Sequence, residues 1–359
     1  MTPVPETQKA LAIPGPEESY ELIQRTVPRP GHGEVLIKLE ATGLNPAEWK
    51  FLGIDLRALV DVWGLSKAYP AFVGQDGAGI VVDVGEGVVS IDKGDRVTLQ
   101  GWLEENYTTY QEYALAPEGF IAKIPSSMSF LQAASLPSAL VTAAIGLAVP
   151  FSPPSSGGLG LKGFWEADAE GYYKGQTILI FGGSSSVGQF VIQIASYIGF
   201  STIITTSSVK HADFLRGLGA THVVDRNGDV AAELKKIHGD NGFKYIYDAV
   251  HAPISQTEVD FLAPGGMLLS ILSIPGDVEF ADDRKAVAVW GSVHLHKDVG
   301  RKMFATLPEF LEKGIIKPNR VEKVSDGLAG IREALKRLET GQVSGHKLAV
   351  NPAETPDVV

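Results

Sequence analysis

An unbroken apolar run, Thr177-Ile178-Leu179-Ile180-Phe181, leads straight into Gly182-Gly183-Ser184-Ser185-Ser186-Val187-Gly188. Apolar residues then recur at helical spacing: Val187, Phe190, Val191, Ile194, Ala195 and Ile198. An apolar run without alternation suits a strand covered on both faces, the condition of a parallel sheet. A helix that starts so soon after its strand must fold back over it, and only residues with little side chain permit so tight a turn. Strand, glycine-rich turn and helix together form the setting in which the G-x-G-x-x-G dinucleotide fingerprint has physical meaning. Its positions here are Gly183, Ser185 and Gly188, with serine in the middle place. Gly183 permits the turn, Gly188 lets the helix lie close to its strand, and N–H groups at the helix start favour an anion. Ser185 departs from the pattern, although a small hydroxyl can still approach or donate to a phosphate. The whole turn is therefore expected to hold a dinucleotide: Gly182, Gly183, Ser184, Ser185, Ser186, Val187 and Gly188.

The segments downstream keep alternating between strand and helix. Strands are expected at Thr202–Thr206, His222–Val224, Tyr245–Ala249 and Met267–Leu272, with a helix at Val209–Leu218. Further helices are expected at Asp298–Lys313 and Leu328–Glu339, and a closing strand at Lys347–Asn351. Such alternation means right-handed crossovers and a parallel sheet. Upstream, from Glu34 to about Pro125, the texture differs. Short β-rich runs (Glu34–Glu40, Gly79–Val84, Asp95–Leu99, Glu112–Ala116) are separated by turn signals such as Gly85-Glu86-Gly87, which reads as a compact barrel-like β domain. Ser129–Ala148 reads as a mostly apolar helix, and Pro150–Gly158 as a Pro/Ser/Gly-rich loop continuing loosely to Lys174. At about 150 residues per domain, 359 residues suggest two domains. The expected class is α/β, a doubly wound parallel sheet beside a β-barrel-like domain.

Composition removes several functions. The 31 basic against 42 acidic residues, a net charge of −11, argue against a nucleic-acid partner, which is held by Lys and Arg on phosphates. With no cysteine there is no disulfide, thiolate metal site, iron–sulfur cluster or cysteine nucleophile. The eight histidines form no H-E-x-x-H or similar cluster, and no G-x-S-x-G elbow marks a serine hydrolase. His294 and His296 alternate on what reads as a possible strand, without a third ligand in reach. The first residues lack a basic start followed by an apolar stretch, so no secretory signal is read. The apolar stretch Ala139–Phe151 is too short for a membrane span and is interrupted by Thr142, Gly146 and Pro150. A cytoplasmic protein without a membrane or nucleic-acid partner is expected.

The end of the second strand decides between the two nicotinamide dinucleotides. A carboxylate there grips the ribose 2′-hydroxyl of NAD. The segment Thr205-Thr206-Ser207-Ser208-Val209-Lys210-His211 has none. Ser207, Ser208, Lys210 and His211, with Arg226 just past the third strand, suit a 2′-phosphate instead. NADPH is the expected cofactor, with no metal.

Several segments, in order along the chain, carry a resemblance. Leu44-Asn45-Pro46-Ala47-Glu48-Trp49-Lys50 resembles the Asn-Pro segment of zinc-independent, quinone-oxidoreductase-like enzymes. Val73-Gly74-Gln75-Asp76-Gly77-Ala78-Gly79-Ile80-Val81 and Gly94-Asp95-Arg96-Val97 are similar to successive signatures of the medium-chain dehydrogenases/reductases. Gly341-Gln342-Val343-Ser344-Gly345-His346-Lys347-Leu348 resembles that family's terminal G-x-x-x-G-K element. The Gly-Gly-Ser-Ser-Ser turn, Leu136–Ala144 and the Pro/Ser-rich loop resemble fungal trans-acting enoyl reductases that serve polyketide synthases. The resemblance implies a GroES-like catalytic domain over 1–130 and 305–359, and a Rossmann NADP-binding domain over 131–304.

The same resemblance implies a site. The places of the metal-holding Cys and His of zinc alcohol dehydrogenases correspond to the neighbourhood of Asn45 and Gln75, which supply neither thiolate nor imidazole. Without a Lewis acid, reduction of an activated C=C bond is expected rather than alcohol oxidation. Ala47, Glu48, Trp49 and Lys50 would line the cofactor, in the cleft between the domains. Lys50 would stabilise charge or bind a ribose hydroxyl, unless it is a plain surface lysine. Thr142 would contact cofactor or substrate, unless its hydroxyl is only back-bonded to its helix. Ile271 and Leu272 would offer backbone groups to the nicotinamide, and Ser344 and Gly345 would approach the cofactor from the terminal element. Ala139, Leu140, Val141, Thr142, Ala143, Trp290, Ser292 and His294 would border the acyl pocket. Tyr69, Tyr107 and Tyr110 could each donate the proton but read as structural, and water is a further candidate. The implied activity is NADPH-dependent reduction of an α,β-unsaturated acyl thioester of polyketide type, presented by a synthase or carrier protein, by a monomer or homodimer. A stand-alone quinone or 2-alkenal reductase and a non-catalytic NADPH-binding protein are the alternatives.

Overall fold

A computed structural model describes residues 3–57, 60, 67–152, 155–250, 254–271, 273–274, 276, 278–281 and 283–357. The chain forms two compact units. The first comprises Met1–Ser138, Leu307–Glu312 and Lys317–Val359, and the second Ala139–Thr306 and Lys313–Ile316. In chain order the strands are β1 Thr7–Ile13, β2 Glu21–Thr26, β3 Glu34–Gly43, β4 Ala71–Phe72, β5 Asp76–Val84 and β6 Arg96–Gln100. They continue with β7 Tyr113–Pro117, β8 Ile121–Lys123, β9 Pro150–Ser152, β10 Ser155–Leu159, β11 Thr177–Phe181 and β12 Thr202–Ser207. The last are β13 His222–Asp225, β14 Phe243–Asp248, β15 Leu262–Ser270, β16 Lys285–Ala288, β17 Val321–Lys323 and β18 Lys347–Val350.

The first unit is built on a mixed sheet in the order β17-β18-β3-β5-β6-β8, with β7 also paired to β3. Alternation in β3 sends Val35, Ile37 and Leu39 to one face, where they meet Val81, Val97, Leu99 and Ile121. Leu36 faces the other way, onto Val27 and Leu115. The C-terminal strand returns to this unit: Ala349 and Val350 of β18 lie opposite Gly43 and Thr42 of β3. Helix Ile331–Glu339 packs its apolar stripe, Ile331, Ala334 and Leu335, with Leu44, Phe51 and Leu348. The short helix Pro46–Lys50 is thereby set between β3 and the C-terminal segment.

The second unit is a six-stranded sheet in the order β13-β12-β11-β14-β15-β16, parallel throughout. The chain builds outward from β11 to one side and returns to build from β14 to the other. The order therefore reverses between these neighbours, and the crevice beyond their carboxyl ends is where doubly wound sheets bind ligands. Phe181 and Asp248 are the register partners at that end. Both expected architectures are present, the GroES-like sheet and the Rossmann sheet.

Two local expectations are corrected. The helix expected over Ser129–Ala148 is two helices, Phe130–Ala133 and Pro137–Ala148, because Pro137 has no N–H to give and its ring crowds the turn before it. The segment expected to be loop after Pro150 is an antiparallel pair, β9 with β10. Its glycines are a condition for approach: a Cβ on Gly158 would stand 1.8 Å from the Gly146 carbonyl oxygen. Pro153 and Pro154 lie outside the described residues.

Candidate functional site

The glycine- and serine-rich turn follows β11 directly. Gly182 takes φ +75°, and a Cβ there would meet Val250 Cγ1 at 2.4 Å. Its N–H donates to Thr206 Oγ1 at 3.1 Å, and that of Gly183 donates to the Thr206 carbonyl at 3.1 Å, so β12 pins the turn from the side. A Cβ on Gly183 would lie 2.1 Å from Thr205 Oγ1, and one on Gly188 would lie 2.3 Å from the Gly182 carbonyl oxygen. A larger residue at Gly188 would have to shift backbone, and one at Gly183 would have to displace the Thr205 side chain. Ser185 is the N-cap of helix Ser186–Tyr197, and its Oγ accepts from the Gly188 N–H at 3.0 Å. The middle place of the fingerprint therefore holds a helix cap, which is the reason for serine there. Ser184, Ser186 and Val187 remain partly exposed on the turn. First-turn N–H groups find no partner inside a helix, and an anion at this start would take them up.

β12 ends at Ser207, which is 1% exposed and whose hydroxyl has no hydrogen-bond partner. The Arg226 N–H donates to the Ser207 carbonyl at 3.0 Å, so Arg226 follows β13 next to the end of β12. The side chains of Lys210 and Arg226 are exposed and make no ion pair among the described residues. Ser208 caps the short turn Val209–His211, and His211 is buried. Sequence reasoning did not single out Asp225, the register partner of Ser207 across β13. Its carboxylate accepts from the Asn227 N–H at 3.1 Å.

In the first unit a second constellation forms where β3, β5 and β18 meet. Asn45, the N-cap of helix Pro46–Lys50, donates from Nδ2 to Asp76 Oδ2 at 2.9 Å and to Glu48 Oε1 at 3.1 Å. The ammonium of Lys347 donates to Asn45 Oδ1 at 2.8 Å and to Asp76 Oδ2. The other oxygen of Asp76 accepts from the Ser138 N–H at 2.6 Å. The side chains of Lys347 and Asp76 are 2% and 0% exposed. Glu48 is fully buried, and burial, with the nearby Asp76 carboxylate, pushes its carboxyl up to about 8. Glu48 was expected beside the cofactor; it turns inward instead, because it closes a capping box with Asn45. Ala47, Trp49 and Lys50 are partly exposed on the same helix, with the Lys50 ammonium 5.7 Å from the Trp49 ring centre. Both Asp76 and Lys347 lie inside motifs legible in the sequence, but their pairing is not.

Of the run Ala139–Ala143, only Thr142 is partly exposed. Ala139, Leu140, Val141 and Ala143 are at most 3% exposed and are core residues, not pocket lining, because this helix is enclosed on nearly every side. The Tyr247 hydroxyl donates to the Thr142 carbonyl at 2.9 Å. A Cβ on Gly291 would stand 2.2 Å from Thr142 Oγ1, so the segment after β16 lies directly against this threonine. Trp290, 36% exposed, and buried Ser292 flank that contact. His294 and His296 do not alternate on a strand. Ser292 Oγ accepts from the His294 N–H at 3.2 Å and its carbonyl from the His296 N–H at 3.1 Å, which winds the segment into turns.

The Ile271 N–H donates to the Asp248 carbonyl at 3.2 Å, and Leu272 lies outside the described residues. Gly345 takes φ +74° and its carbonyl accepts from Arg320 Nε at 3.1 Å, next to partly exposed Ser344. Tyr69 accepts from the Leu56 N–H at 3.1 Å and Tyr107 donates to the Glu34 carboxylate. Tyr110 is fully buried, which pushes its hydroxyl well above the ordinary range.

Two family models match in chain order. That of the alcohol dehydrogenase GroES-like domain covers residues 31–126, and that of the zinc-binding dehydrogenases covers 186–303. The chain belongs to the medium-chain dehydrogenase/reductase family. This dehydrogenase/reductase is 27% identical to a zinc-type alcohol dehydrogenase-like protein of Schizosaccharomyces pombe, over 95% of this chain and 99% of that one. It is also 27% identical to a trans-enoyl reductase of Penicillium sp, over 97% of this chain and 99% of the relative. Among solved structures it is similar to an alcohol dehydrogenase superfamily protein from Novosphingobium aromaticivorans. That match has 24% identity and a TM-score of 0.76, and covers 96% of this chain and 99% of the other. The family uses nicotinamide cofactors, and the turn at Gly182–Gly188 with the unpartnered Ser207 hydroxyl fits a dinucleotide. The zinc in the second model's name finds no such fit. Asn45 and Gln75, which correspond by resemblance to the metal-holding Cys and His, are amides, the chain has no cysteine, and no group of His, Asp and Glu among the described residues could hold an ion.

Proposed function

We propose that this chain reduces an activated C=C bond with NADPH, without zinc, and that its substrate is an α,β-unsaturated acyl thioester of polyketide type. The observation that carries the reading is the donor set around Asn45 and Gln75. It offers amides, buried carboxyls and an ammonium where Lewis-acid chemistry needs thiolate and imidazole. Alcohol oxidation depends on such an acid to form the alkoxide. A conjugated C=C bond needs only hydride delivery and a stabilised oxyanion.

NADPH supplies the hydride when bound. The turn Gly182–Gly188 and the helix after it would hold the pyrophosphate, and Ser207, Ser208, Lys210 and Arg226 would receive the 2′-phosphate. Hydride delivery to the β-carbon would place negative charge on the thioester oxygen, and a proton from water would complete the α-carbon. Lys50 and Thr142 are the groups assigned to steady the charge and orient the reactants. Partly exposed Trp290 offers an apolar surface to the acyl chain beside Thr142. A synthase or carrier protein in the cytoplasm presents that chain. The match along the full length of a trans-enoyl reductase supports this reading.

The test is NADPH consumption with a panel of enoyl thioesters beside free quinones and 2-alkenals. Faster turnover of the thioesters is expected. Preference for quinones or alkenals would make the chain a stand-alone reductase, and no turnover with any of them would leave a nucleotide-binding protein.

A further inference from the structure

The cluster at Asn45 already holds a positive charge, the Lys347 ammonium. A hard divalent cation placed there would draw on oxygen atoms, and the nearest are Asn45 Oδ1 and Asp76 Oδ2. Both already accept from the Lys347 ammonium. That ammonium is 2% exposed and its stem is confined: a Cβ on Gly43 would come within 3.0 Å of Lys347 Cε. The two oxygens of Glu48 are taken by the N–H and Nδ2 of Asn45. The Lys347 N–H donates to the Arg320 carbonyl at 2.8 Å, so the backbone that carries the side chain is itself fixed. An incoming ion would either share the space with a positive charge a few ångströms away, at high Coulombic cost in a buried setting, or displace a side chain that is 2% exposed.

We propose that the Lys347 ammonium is a built-in cation, standing at Asn45 and Asp76 in the neighbourhood that corresponds by resemblance to the metal-holding places of zinc alcohol dehydrogenases, and that it bars divalent metals from this cluster. It ties the start of β5 to the N-cap of helix Pro46–Lys50, a link that a bridging ion would otherwise make. The inference rests on the metal-free half of the proposed function and not on the choice of substrate. Its test reads metal rather than turnover, so the two fail separately.

The full chain, stripped with chelator, is incubated with Co²⁺ or Zn²⁺, passed over a desalting column, and assayed for retained metal, Co²⁺ visible absorption and melting temperature. The wild type is expected to retain none and to melt unchanged. Lys347→Ala leaves the Asn45 and Asp76 oxygens open beside uncompensated negative charge. It is expected to retain a single ion per chain and to melt higher with metal, since binding to the folded state stabilises it. Lys347→Ala combined with Asp76→Asn is expected to lose that retention, and Lys347→Arg to stay metal-free. Wild-type chain that holds an ion lost on Asp76→Asn would overturn the proposal, as would Lys347→Ala that retains nothing. If Lys347→Ala does not fold alone, refolding with and without Co²⁺ is read instead: recovery only with metal supports the proposal, and recovery with neither overturns it.

Discussion

Ser207 keeps a hydroxyl inside the protein with nothing to bond, a condition that costs about 1–3 kcal/mol. A 2′-phosphate would relieve it through a charge-assisted bond worth roughly 1.5–3 kcal/mol. Ser207→Ala is therefore expected to weaken NADPH about tenfold or more while leaving NADH affinity nearly unchanged, as read by fluorescence titration, and to raise the melting temperature of the coenzyme-free chain. Equal weakening of both coenzymes would remove Ser207 from the phosphate site. Glu48 makes a different demand. Its carboxyl rises from an ordinary 4.5 to about 8 in the folded chain, so the folded state keeps a proton that the unfolded state releases. Its contribution to stability is thus present below about 4.5 and is lost as pH rises through about 8. Urea melts at successive pH values should show stability falling across that window, and Glu48→Gln should flatten the slope.

Helix Ser186–Tyr197 depends on a cap that doubles as part of the fingerprint. Ser185→Ala should cost about 1 kcal/mol and lower the melting temperature by a few degrees. Ser185→Asp should recover that stability yet weaken NADPH, because its charge would face the pyrophosphate; recovery of both would disconnect the cap from the coenzyme. The contact of Gly291 on Thr142 is as specific. A methyl group there meets Thr142 Oγ1 at 2.2 Å, and displacing a catalytic contact by about 1 Å can cost about a hundredfold. Gly291→Ala is expected to reduce kcat by about that much, with coenzyme affinity held.

How far such elements can be read beforehand depends on the range of the forces that form them. The strand, turn and helix at 177–197 are local, governed by unbroken apolar residues, glycine and a cap, and they appear where the pattern puts them. The pair β9 and β10 does not announce itself, because its Pro, Ser and Gly residues have little strand preference and are held by contact with helix Pro137–Ala148. Lys347 and Asp76 stand 271 positions apart, and no spacing rule brings a lysine and an aspartate together over such a distance. Only the closing of β18 onto β3 does.

At the scale of the whole chain, two family domains in sequence order and a six-stranded sheet that reverses beside β11 describe a nicotinamide-dependent oxidoreductase. With a net charge of −11 the chain has no general basic field, so under the proposed function the phosphates of the coenzyme would rely on a few local cations. In the proposed reaction hydride reaches a C=C bond without a metal. The most direct measurement uses chelator-stripped enzyme, an enoyl thioester and NADPH deuterated at the nicotinamide C4 position from which hydride leaves, with the product read by mass spectrometry and NMR. A single deuterium at the β-carbon, formed at a rate that added zinc does not change, is the predicted result. Unlabelled product, or turnover that returns only when zinc is restored, would contradict the account.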